Sequence, residues 1–204
     1  MCVAAAIISC KSLHIKKEVK SIIMPIISAL TAVSLLYELF DEKFALQGVA
    51  WQVVLMKIFG GCAVLYFGVF AASEIFKFQI PDILHTIPAL YMIMRIICSF
   101  INISSLSLIA ENIFLLASYC CMLLFFVSYA AFYCIEDQNI VSLYTRASLA
   151  FAFGFCTALP NIIANTFSKS GYTHIPVHSQ VVLMFMALFI AGFVYEKFFK
   201  AEKQ

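Results

Sequence analysis

Long apolar runs broken by short polar stretches set the pattern of this chain. Six of these runs reach the roughly 20 residues that an α-helix needs to cross the hydrocarbon core of a bilayer. They extend from about Ser21 to Phe40, Val49 to Ala72, Pro81 to Asn102, Ile109 to Cys134, Leu143 to Thr166 and Ser179 to Phe199. The pattern predicts an all-α, polytopic membrane protein, a bundle of about six transmembrane helices. Residues 1–20 read as a short apolar stub followed by a basic segment, 21–199 as the transmembrane domain and 200–204 as a basic tail. Pro25 and Pro81 fall in the first turns of their helices, where a missing N–H costs nothing. Pro88 and Pro160 fall inside spans and predict local kinks.

Composition strengthens the pattern. The chain is 64% hydrophobic and 12% charged, with 21 Phe and a mean hydropathy of +1.00. No compact core in water hides that much apolar side chain, whereas a bilayer does not require it to be hidden. The lipid bilayer is therefore the first partner of this chain, and a net charge of +2 gives no sign of nucleic acid binding.

Charge also orients the bundle. With an even number of spans, Lys11, Lys16, Lys17, Lys20, Lys77, Arg146, Lys197, Lys200 and Lys203 share one side, and only Lys43 and Lys169 take the other. The positive-inside rule then places both termini in the cytoplasm of a multi-pass cell-membrane protein.

The eight cysteines have neither paired spacing nor loop positions, and read as buried, reduced packing residues. Walker A, GxSxG, HExxH and Gly-rich dinucleotide motifs are missing from the sequence. His174 and His178 are spaced H-x3-H around Pro176, with no third ligand in the segment, and read as an ordinary polar loop. No metal and no cofactor is expected.

Ionisable residues within spans are the exceptions worth weighing, because each is costly in hydrocarbon. Arg95 shares a face with His85, Pro88, Met92, Ser99 and Asn102, a stripe about 100° wide. Lys57 lies on the second helix with Gly61 and Gly68 on its face and Gly60 beside them, small residues expected to let another helix approach closely there. Glu38 ends a stripe of Ser28, Thr31 and Ser34, and Glu111 begins one of Ser118, Cys121 and Ser128. Asn161 and Asn165 follow Pro160. All six of the singled-out residues, Glu38, Lys57, Arg95, Glu111, Asn161 and Asn165, fall in the outer half of the membrane when odd helices run outward. Arg95 is expected to pair with Glu111, with Glu38 as the alternate, and Asp82 to make a helix-start contact with His85.

Two function classes follow. In the first, Lys57, Arg95, Asn161, Asn165, Glu111 and Glu38 line an outward-facing polar pocket for a small anionic or zwitterionic solute that is bound or transported. In length, span count and cytoplasmic ends the chain resembles the substrate-binding subunits of energy-coupling-factor transporters. That likeness implies such a pocket, although the seven glycines are fewer than that family leads one to expect. In the second class, the protein is a non-catalytic membrane subunit or regulator whose buried charges fix helix packing and contact a membrane protein partner. An intramembrane enzyme is the weakest class: His85 and Cys98 on one helix are about 20 Å apart and form no dyad.

Overall fold

The computed structural model describes residues 23–40, 50–103, 109–134, 140–167 and 177–200. The basic segments at the two ends, Lys43, Lys169, His174 and the side chains of Asn102 and Glu111 lie outside the described residues. Six helices long and apolar enough to cross a membrane form the fold, and no strand occurs among the described residues. They are α1 (Ile23–Phe40), α2 (Ala50–Phe76), α3 (Ile87–Ile103), α4 (Ile109–Cys134), α5 (Ile140–Phe167) and α6 (Val177–Val194).

Neighbours in sequence run antiparallel. Ser28 of α1 donates to the Phe67 carbonyl of α2, and Leu39 meets Gly60 at the other end of the pair. Tyr66 of α2 meets His85, just before α3, and Ser118 of α4 meets Thr157 of α5. The circuit closes where α6 packs on α1: Ser179 meets Glu38, and Gly192 meets Met24. The face where α1 begins is called here the near face, and the opposite one the far face.

The distribution of side chains is that of a bundle in lipid. Ser28, Thr31, Glu38, Arg95, Ser118 and Gln180 are buried, while Ile26, Val33, Val54, Leu65, Phe114 and Leu124 are exposed. Lipid chains are as apolar as leucine, so burying leucine gains little and satisfying polar groups inward gains much. The centre is aromatic. Phe67, Phe126 and Phe189 meet at centroid distances of 5.1 to 6.5 Å, with Phe125, Tyr129 and Phe193 around them. On α5 the small buried residues Ala147, Ala150, Gly154 and Ala158 let its neighbours come close. A Cβ added at Gly154 would lie 2.5 Å from the Met122 Cε of α4 and 3.2 Å from the Ala187 Cβ of α6.

Three expectations need correction. Pro81 precedes a 3₁₀ turn, Asp82–Thr86, so α3 begins at Ile87 and Pro88 sits in its first turn, where no N–H is needed and no kink results. Of the six described cysteines, all free, Cys62, Cys120, Cys134 and Cys156 are exposed rather than buried. A small weakly polar thiol is tolerated against lipid, so hydropathy does not say which way it faces. Finally, Gly60 makes the close helix contact of α2, while Gly61 and Gly68 have nothing within 4 Å.

Candidate functional site

Toward the far face, polar side chains from four helices gather around one carboxylate–guanidinium pair. Glu38, in the last turn of α1, accepts from Arg95 Nη1 of α3 at 2.5 Å and from Ser179 Oγ of α6 at 2.6 Å, both on Oε1. Its Oε2 accepts from the Tyr91 hydroxyl at 3.1 Å. Arg95 Nη2 donates to the Tyr119 hydroxyl of α4 at 3.1 Å, and the guanidinium lies 5.3 Å from the Tyr119 ring centroid and 5.9 Å from that of Tyr91. Glu38 and Arg95 are each only 4% exposed. The helical spacing explains the gathering: Tyr91 stands one turn before Arg95 on the same face, so both reach the same acid.

Among the described residues the cluster has little room beside it. The space beside it, between Leu35, Glu38, Leu39, Met56, Gly60 and Tyr91, is about 10 Å³, at most the room of one water. The carboxylate that meets Arg95 is thus Glu38, the alternate of the two acids, brought there because α1 packs against α6 and reaches α3. Tyr91, Tyr119 and Ser179 complete the site and are not distinguished by sequence pattern alone. A phenol in a lipid-facing belt and a phenol bonded to a buried ion have the same local sequence.

The remaining expected site residues are elsewhere. Lys57 is on the exposed side of α2 and is not brought together with Arg95. Asn161 donates from Nδ2 to the Thr157 carbonyl at 3.0 Å and lines a groove on the outside of α4 and α5, and Asn165 is half-buried one turn further.

A second polar group lies toward the near face. The Tyr66 hydroxyl bonds His85 Nδ1 at 2.7 Å and the Tyr129 hydroxyl at 3.0 Å, while His85 stacks on Tyr133 at 4.0 Å. His85 is therefore turned into the bundle, and its expected helix-start contact with the exposed Asp82 is electrostatic, with no hydrogen bond between them. A ring that stacks on one aromatic and accepts from another is better placed inside than at a wet helix end.

Gln180 is the residue that sequence reading passed over. It is fully buried, and neither its amide nitrogen nor its amide oxygen has a hydrogen-bond partner among the described residues. Ala187, seven residues on and on the same face, meets Gly154, so Gln180 faces α5. An unpaired buried amide costs about 1–3 kcal/mol. Gln180→Leu should therefore raise stability by about that amount. Denaturant titration in mixed micelles checks this, and a loss of stability would show that the amide is paired in the membrane.

Comparison of the chain with family models, with curated proteins and with solved structures finds no match. The class of protein is set by the fold: a multi-pass, all-α membrane protein. The architectural likeness to energy-coupling-factor subunits accordingly carries no argument about function.

Proposed function

We propose that this chain is a non-catalytic subunit or regulator of a membrane assembly, its buried charges fixing how the helices pack, and not a carrier of an anionic solute. One observation carries the reading. Arg95, the cation best suited to grip a carboxylate or phosphate, is already divided between Glu38 and Tyr119, and the space that the described residues leave beside Glu38 and Tyr91 is about 10 Å³. Lys57 supports the partner half of the reading. It is exposed about 10 Å from the start of α2, where a neighbouring helix or the interface can meet its charge.

Native mass spectrometry of the protein gently extracted from its own membrane tests this. A bound second polypeptide and no bound anion is expected. A retained carboxylate or phosphate compound that is lost in Arg95→Met would overturn the reading in favour of an anion-binding protein.

The same proposal places the protein in the cell membrane with the near face, which carries Lys77 and Arg146, in the cytoplasm. Single cysteines introduced in a Cys-free background report this with an impermeant thiol reagent on intact cells. Ser170→Cys should label and Ser12→Cys should not; the reverse pattern rejects the orientation.

A further inference from the structure

One open space among the described residues has no place in the reading above. It is a groove of about 490 Å³ on the outside of α4 and α5, lined by Phe114, Ala152, Phe153, Cys156, Thr157, Pro160 and Asn161. Its size falls in the range of small-molecule sites, roughly 300–1,000 Å³. Phe114 and Phe153 on its rim are 62% and 37% exposed, so it opens on the lipid-facing surface of the bundle. Whatever fills it arrives from the bilayer.

The polar atoms of the groove are neutral, and its acceptors are the better placed for a ligand. Pro160 has no N–H, so the Cys156 carbonyl one turn earlier loses its helical donor, and no side chain among the described residues supplies another. The Asn161 Nδ2 is directed at the Thr157 carbonyl, which turns Oδ1 away as an acceptor with no protein donor among the described residues. The Thr157 hydroxyl is taken up inside the bundle, bonded to the Phe153 carbonyl and to the Ser118 hydroxyl. What the groove offers a ligand is therefore two acceptors, the Cys156 carbonyl and Asn161 Oδ1, beside the second N–H of Asn161 Nδ2 and the weak S–H donor of Cys156. No ionisable side chain other than the Cys156 thiol stands among the lining residues. A carboxylate or phosphate would find no cation among the described lining residues, and a cation would find no carboxylate among them.

The groove is also polarised along the membrane normal. Asn161 and Pro160 lie within about 11 Å of the end of α5 at the far face, and Ala152 and Phe153 lie about two turns deeper. A bilayer lipid has this polarity, head toward the face and chain toward the middle.

We propose that this groove holds a neutral membrane lipid bearing a free hydroxyl, its chain against Ala152 and Phe153 and its hydroxyl donating its one proton to Asn161 Oδ1, with the Cys156 carbonyl beside it. The binding needs neither Arg95 nor a protein partner, so it stands or falls apart from the proposed function.

The test uses the full chain in phosphatidylcholine nanodiscs containing either a diacylglycerol or the same diacylglycerol with its hydroxyl acetylated, with retained lipid counted by native mass spectrometry. The free hydroxyl should be retained about tenfold over the capped form. Asn161→Leu should bring that ratio close to one, and Ala152→Trp, which fills the groove, should remove both lipids. Leu65→Trp, on the exposed side of α2, should change neither. Equal retention of the two lipids by the native chain overturns the proposal, as does a preference that survives Asn161→Leu. If Ala152→Trp does not fold, Asn161→Leu decides alone.

Discussion

Replacing Glu38 by Leu should destabilise the bundle more than any other single change in the far half, by about 3–5 kcal/mol. The substitution leaves Arg95 buried at 4% exposure, with the Tyr119 hydroxyl as its one remaining bonded partner among the described residues, and also strands the Tyr91 and Ser179 hydroxyls. Arg95→Leu should cost less, because the two residues differ in what they can do when orphaned. A buried carboxyl escapes its charge by taking up a proton, whereas a guanidinium does not lose one. The double variant Glu38→Leu/Arg95→Leu should cost less than Glu38→Leu alone, since no charge is left unpaired. Unfolding in mixed micelles, arranged as a double-mutant cycle, measures all three. If the two single changes simply add in the double variant, the ion pair does not lock the bundle. Ser179→Ala, which removes one neutral donor to the same carboxylate, should cost about 1–2 kcal/mol.

Phe126→Ala should be the most damaging truncation in the apolar centre, at about 2–4 kcal/mol, with Phe114→Ala close to neutral. Both residues are phenylalanines on α4, and both lie in apolar surroundings. In water the two would differ by the free energy of moving a ring out of solvent. In a bilayer that difference is small, and what remains is contact and cavity. Phe126 is fully buried, with the Phe67, Phe125, Tyr129 and Phe189 rings at 5.3 to 6.5 Å, so its removal leaves a void that rigid neighbours cannot fill. Phe114 is 62% exposed, and lipid chains flow into the space it leaves. The same micelle titration checks the pair. Equal losses at the two positions would mean that hydrophobic transfer, rather than packing, holds this bundle together.

The two predictions draw on different levels of information. That Arg95 and Glu38 face inward was legible in the sequence, because each ends or interrupts a polar stripe at helical spacing and neither is affordable in lipid. The stripe of Ser28, Thr31 and Ser34 is buried as its period requires, as are His85, Pro88 and Met92 beside Arg95. The asymmetry between Phe126 and Phe114 was not legible. Twenty-one phenylalanines in apolar runs look alike when the solvent is itself apolar, and hydropathy carries no directional signal there. The same blindness hid Tyr91 and Tyr119, and made four lipid-facing cysteines look like core residues.

What the sequence by itself determined is therefore the solvent, the number of spans and the inward faces of the polar stripes. These follow from local quantities, run length and a period of about 3.6 residues. Tertiary structure alone decided who meets whom. Whether Arg95 finds Glu38 or another acid depends on the order of helices around the bundle, and the packing of α1 between α2 and α6 brings Glu38 to it while leaving Lys57 on the outside. The groove at Asn161 has the same origin. Pro160 frees a carbonyl wherever it stands in a helix, but only the packing of α4 against α5 leaves space beside it. Rotation and order of helices are set by close contacts such as Gly60 on Leu39 and Gly154 on Ala187, which join residues far apart in the chain and leave no mark on the hydropathy of either segment.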